Sequence, residues 1–240
     1  MFRFKIKKAG AAAVALMVFC AAFVFSSDFN SAEKRKKYMN SFYAVEIPDD
    51  VFAFMQGKSF KWNCTVKKEN LRYLHVLYTG FDDKSHEGEL VCHRAIADDL
   101  LEIFRVLFSN KYQIEKICLV DNYNADDESS MRDNNSSCFN FRFISFTKKV
   151  SKHGLGVAVD INPLYNPYVK KVNGKTNVEP ATATPYTDRS KNFAHKITEE
   201  DLCCRLFAEH GFEWGGSWTS CKDYQHFELP DWRIKELCIE

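Results

Sequence analysis

No C-x-x-C spacing occurs in the 240 residues, although the chain holds nine cysteines. Cys203 and Cys204 are adjacent, so a metal site built on thiolates has little support. Net charge is lacking too: 33 Lys and Arg against 32 Asp and Glu leave +1. With no basic stretch interleaved with aromatics, nucleic acid is not expected as a partner. The uncharged run from Ala9 to Ser27, about 17 residues at its apolar centre, is shorter than the ~20 of a comfortable spanning helix. Arg3, Lys5, Lys7 and Lys8 precede it, which predicts a secretory signal over residues 1–27, with an uncleaved membrane anchor as the alternative. Met17-Val18-Phe19 lacks the small residues that precede a lipidated cysteine, which speaks against lipidation of Cys20. Without Cys20 eight cysteines remain, an even number that permits disulfides without assigning them; buried free thiols are the other reading.

Against these absences, 45% apolar and 15% aromatic residues are enough for one good core. Residues 28–46, with the charge run Glu33 to Lys37, are expected to be a linker, and domain structure to begin near Tyr43. Alternation predicts a strand from Leu71 to Tyr78, a turn over Gly80 to Ser85, and a second short strand from Glu89 to His93. A helical period runs from Ala95 to Phe108, and Ile114 to Val120 returns to strand. Asp126 to Ser137 reads as a polar loop of the kind that lines a cleft. Phe139 to Thr147 reads as a strand with Asn140, Arg142 and Ile144 on one face. Asn166 to Ser190 reads as a long irregular connection, and Asp201 to His210 as a helix stopped by Gly211.

The most informative stretch is Ser151 to Pro167, SKHGLGVAVDINPLYNP. His153 and Asp160 lie seven apart, across Gly154 and Gly156 and the β-branched Val157 and Val159. Helix is the poorer choice for such a composition, and one strand would send residues at an odd separation to opposite faces. The glycines must bend the chain so that imidazole and carboxylate converge, an arrangement that suits a metal. In KDYQHFE, Asp223 and His226 follow the aromatic, Gly-rich run GFEWGGSW. Two His and one Asp are a ligand set that zinc accepts, with the fourth tetrahedral position left for water. Asp223 is then a spare carboxylate able to take a proton from that water.

The wording around these residues is specific. S-x-H-x-x-G-x-A-x-D-I-N-P from Ser151, W-G-G-x-W from Trp214 and D-Y-x-H-F-E from Asp223 resemble the zinc D-Ala-D-Ala carboxypeptidase family. So do D-D-E-x-S-M at Asp126 to Met131, N-N-S-S-x-F-N-x-R at Asn134 to Arg142, and Y-x-D-R at Tyr186 to Arg189. The nearest branch holds D-alanyl-D-alanine carboxypeptidases and L-alanyl-D-glutamate endopeptidases, because much of the wider family carries Glu where this chain has Asp223. The resemblance implies that His153, Asp160 and His226 hold one zinc ion per chain. It also implies that Asp223 is the catalytic base and that Arg142 faces the developing oxyanion and the substrate. Ser151 either hydrogen-bonds substrate or orients the turn. Trp214 and Trp218 are core aromatics or the wall of a peptide cleft. His75, His86, His93, His195 and His210 fall outside the motifs and read as structural or surface residues.

The fold expected is α+β, a small antiparallel sheet with helices packed on one side and zinc in a surface cleft. The catalytic domain would span residues 47–230, followed by a C-terminal tail, 231–240. The function implied is hydrolysis of the peptide stem of bacterial peptidoglycan, as a D-alanyl-D-alanine carboxypeptidase. The alternatives are an L-alanyl-D-glutamate endopeptidase and a non-catalytic cell-wall-binding module. Partners would be peptidoglycan stem peptides, with no nucleic acid and with membrane contact only through an uncleaved N-terminal anchor. The chain would be exported to the periplasm, the cell surface or the medium.

Overall fold

The computed structural model describes residues 40–144 and 147–239, so the expected signal or anchor over residues 1–27 lies outside the described residues. Strand β1 (Tyr43–Val45) pairs antiparallel with β2 (Leu71–Thr79), and β2 pairs with β3 (Ser85–His93). Helix α1 (Asp49–Met55) lies between β1 and β2 in sequence, and α2 (Ala97–Ser109) follows β3 and packs along β2. The helical period places Leu100, Ile103, Phe104 and Leu107 on the buried face of α2, while Asp98 and Asp99 in its first turn complement the helix dipole. On one face of the sheet Leu71, Tyr73 and Val91 join Met55, Phe139 and Phe141 in a core cluster. Leu74 and Val76, of opposite parity in β2, are also fully buried, so this sheet is covered on both sides.

Two further three-stranded sheets carry the site. β6 (Ala158–Asp160), β11 (His226–Glu228) and β9 (Glu213–Trp214) run in the order β6-β11-β9. β7 (Tyr168–Val172), β8 (Lys175–Glu179) and β10 (Lys222–Asp223) run in the order β10-β7-β8. A parallel pair, β4 (Lys116–Ile117) and β5 (Asn135–Ser136), and the helices α3 (Asp127–Arg132), α4 (Leu202–Glu209) and α5 (Asp231–Glu236) complete the described elements. The α+β class is as expected, but the described residues form three small antiparallel sheets instead of one, and cover lies on both faces of the first. Among the described residues no helix is long and apolar enough to cross a membrane.

Other expectations need correction. The strand expected over Ile114 to Val120 shrinks to β4, because side chains take its backbone partners: the Cys118 N–H donates to Asn135 Oδ1 and the Glu115 N–H to Asn162 Oδ1. The polar loop from Asp126 contains α3, whose first turn is capped by Asp126 Oδ1 accepting from Ser129 N at 2.9 Å. The strand expected from Phe139 forms no ladder, because its N–H groups go to three different places: Phe139 to Val91 O, Asn140 to His153 O and Phe141 to Ser59 O. Its last stretch includes residues 145–146, outside the described residues. The irregular connection after Asn166 contains the β7–β8 hairpin, closed by Asn173 and Gly174, both at positive φ. β1 falls within the expected linker, held by pairing with β2, and the expected tail contains α5, anchored by buried Ile234 and Ile239.

Candidate metal centre

The site forms where β6 meets β11. The register sets Asp160 directly opposite His226, and facing residues of an antiparallel pair share one face of the sheet. His153 arrives from the turn before β6, closed by Leu155 N to Ser151 O, Gly156 N to His153 O and Val157 N to Lys152 O. Gly156 has φ +71°, and a Cβ there would lie 2.7 Å from His93 N, so only glycine fits. Gly154 lies against the Arg142 backbone, where a Cβ would come within 3.0 Å of its carbonyl oxygen. The bend required by the odd separation of His153 and Asp160 is thus built from the two glycines.

The three side chains are buried and bring coordinating atoms within 4.8 Å of one another. His153 Nε2 is 3.1 Å from His226 Nδ1 and 3.2 Å from Asp160 Oδ2, and His226 Nδ1 is 3.0 Å from Asp160 Oδ1. The other nitrogen of each ring is already engaged. His153 Nδ1 donates to the Cys138 carbonyl at 2.7 Å, and His226 Nε2 donates to Glu228 Oε2 at 2.9 Å. Each proton is assigned by its partner, since neither a carbonyl nor a carboxylate can donate. The inner nitrogens of both imidazoles and a carboxylate therefore face one another, an arrangement that repels unless a cation or a proton lies between them. Tetrahedral zinc with bonds of 2.0–2.1 Å sets its ligand atoms about 3.3 Å apart, so the donor set and its spacing fit that ion.

Electrostatics follow from this packing. Burial raises the Asp160 pKa, but His153 and His226 more than offset it and hold the carboxyl far below its usual range. Burial works against the charged form of His226, yet Asp160 and Glu228 raise its pKa to about 10. Asp223 goes the other way: burial and the charge of Asp160 push it up to about 6, against the pull of His226 and the Gln225 amide. Its Oδ1 is buried without a hydrogen-bond partner.

Asp223 lines the same cleft, of about 950 Å³, as His153, Asp160, His226 and Arg142. It is carried there by β10 and by the W-G-G-x-W run: a Cβ on Gly215 would lie 2.6 Å from Asp223 O and 3.3 Å from His226 Cβ. Trp214 is half-buried and donates Nε1–H to Tyr224 O at 2.9 Å, while the Trp218 ring lies 5.4 Å from that of His226. Arg142 Nε pairs with Asp127 Oδ2, and Asp127 Oδ1 accepts from Asn140 Nδ2 at 2.7 Å. Backbone bonds from Ser151 N to Arg142 O and from Asn140 N to His153 O tie this segment to the metal turn. Ser151 Oγ accepts from Gly154 N at 3.0 Å, which orients the turn, and the residue also borders the cleft.

Glu228, Asp127 and the hairpin were not singled out in the sequence. H-F-E read as a strand would have put His226 and Glu228 on one face, and Asn173-Gly174 is a strong two-residue hairpin signal. The histidines set aside do hold structural contacts: His86 with Asp82, His210 with Asp99, His195 stacked on Phe81.

Residues 145–229 match the family model described as D-alanyl-D-alanine carboxypeptidase, which supports a metallopeptidase. The resemblance to the zinc D-Ala-D-Ala carboxypeptidase family stands on that match. The span takes in His153, Asp160, Asp223 and His226 and begins after Asp127, Asn140 and Arg142. Neither the curated proteins nor the solved structures provide a match to the chain.

Proposed function

We propose that this chain is a zinc metallopeptidase that acts on the peptide stem of bacterial peptidoglycan as a D-alanyl-D-alanine carboxypeptidase. The observation that carries the reading is the converging set of His153 Nε2, Asp160 and His226 Nδ1, with the outer nitrogens of both rings engaged. Zinc held by these three residues would supply Lewis acidity, lowering the pKa of a water and polarising the scissile carbonyl. Asp223, half-buried and raised toward neutrality, accepts the proton of the attacking water and passes it to the amine as the C–N bond breaks. Arg142, ion-paired with Asp127, faces the charge that develops on the carbonyl oxygen. Glu228 and the Cys138 carbonyl hold the two imidazoles in the tautomers that ligation needs.

Export to the cell wall belongs to the same reading and rests on the basic, then apolar, N-terminal sequence. Mass spectrometry of products from defined stem peptides is the test. Release of free D-Ala from stems ending in D-Ala-D-Ala is expected. Cleavage between L-Ala and D-Glu would replace this reading with the endopeptidase, and no turnover by the zinc-loaded chain would favour the wall-binding module.

A further inference from the structure

The β7–β8 hairpin forms one wall of the cleft. Its strands pair Tyr168 with Glu179 and Lys170 with Asn177, and side chains alternate along each strand. Tyr168, Lys170, Val172, Asn177 and Glu179 line the cleft, whereas Val169, Lys171, Thr176 and Val178 between them do not. The wall is fixed to the chemistry, since Tyr168 on β7 stands directly opposite Asp223 on β10.

Four Lys or Arg side chains border the cleft, and three already have carboxylate partners. Arg142 pairs with Asp127, while Lys149 and the buried Lys152 both pair with Asp231. Lys170 is exposed and has no ion pair among the described residues. The nearby Glu179 carboxylate accepts instead from Asn177 Nδ2 at 2.8 Å. We infer that the inward face of this hairpin is a substrate-recognition wall on which Lys170 binds the C-terminal carboxylate of the peptide. The inference rests on the carboxypeptidase reading.

The reach is adequate. Lys170 is two residues along β7 from the position facing Asp223, about 6.6 Å at strand rise. In a carboxypeptidase substrate the terminal carboxylate is one residue, at most about 3.6 Å, beyond the scissile carbonyl. A four-carbon lysine stem spans the difference, and an ammonium at its tip meets a carboxylate in a charge-assisted contact.

The test uses the zinc-loaded full chain and two synthetic substrates, a peptide ending in D-Ala-D-Ala with a free carboxylate and the same peptide as its C-terminal amide. Wild type should show a KM about tenfold lower for the acid. In Lys170→Ala that gap should close to within about twofold, through a rise in KM for the acid, with zinc content and melting temperature unchanged. Lys170→Arg should restore most of the gap. A gap undiminished in Lys170→Ala overturns the assignment to Lys170 and leaves the carboxypeptidase reading standing. A wild-type enzyme that releases the terminal residue from acid and amide equally well overturns the recognition wall alone, and one that cuts either peptide only at an internal bond overturns both.

Discussion

The corner where β6 meets β11 and the hairpin wall of β7 and β8 border one cleft but are built on opposite principles. At the corner His153, Asp160 and His226 are 5%, 9% and 6% exposed, and each imidazole is fixed through its outer nitrogen. On the wall Lys170, Val172 and Asn177 are exposed. A ligand set must be dehydrated and aimed before the ion arrives, so its geometry is locked by packing. Holding a flexible charged peptide needs reach more than rigidity. Changes at the corner should therefore act through metal and rate, and changes on the wall through KM.

The largest effects belong to the corner. His153→Ala and His226→Ala should each lose bound zinc and turnover together, as read by metal analysis; full zinc in both variants would break the ligand assignment. Asp223→Asn should keep zinc and lose ~10²–10⁴-fold in kcat, because an amide cannot take the proton. Since Asp223 is raised to about 6, and the base proposed here accepts a proton only when ionised, kcat/KM should climb with pH along an acid limb at or below about pH 6. A bound cation lowers that limb further, and the limb should vanish in Asp223→Asn.

Next come the two carboxylates that act through other residues. Arg142→Ala should cost about 10²–10³-fold in kcat, the usual effect of removing an oxyanion donor. If Asp127 serves to aim that guanidinium, Asp127→Ala should slow the wild type yet add little in the Arg142→Ala background. Additive losses would show that Asp127 does something else. Glu228→Ala should weaken zinc binding by about 10–100-fold in competition with a chelator, while Glu228→Gln, which can still accept from His226, loses less.

The corner was far more legible in the sequence than the wall, for physical reasons. A metal site needs rare residue types at constrained spacings, and the odd separation of His153 and Asp160 across two glycines already demanded a bend. Asp223 was legible as the carboxylate left over beside that set. Arg142 could be named from its motif, but its partner could not, since Asp127 lies 15 residues upstream on α3. The segment Phe139 to Phe143 has the alternation of a strand, yet its backbone bonds are scattered over β3, the metal turn and Ser59, which no local pattern records. On the wall, YVKKV and KTNVE are charged and mostly exposed on both faces, so they lack the apolar alternation that marks a half-buried strand. Only Asn173-Gly174 announced the hairpin, and the prolines at 167, 180 and 185 drew the whole stretch toward an irregular reading.

The smallest expected effect is also the sharpest test of the wall, because it separates position from charge. Lys170 and Lys171 are adjacent, both exposed and identical in chemistry, but the alternation of β7 points only Lys170 toward the cleft. A general attraction of the basic hairpin for an anionic peptide would treat them alike and would fade with salt for both. A local contact would not. Lys171→Ala should therefore change KM for a stem ending in D-Ala-D-Ala by less than about twofold at low and at moderate ionic strength. Steady-state kinetics of both single variants across a salt series reads the difference. Equal rises in KM for Lys170→Ala and Lys171→Ala, both suppressed by salt, would replace the shaped wall with a diffuse positive surface.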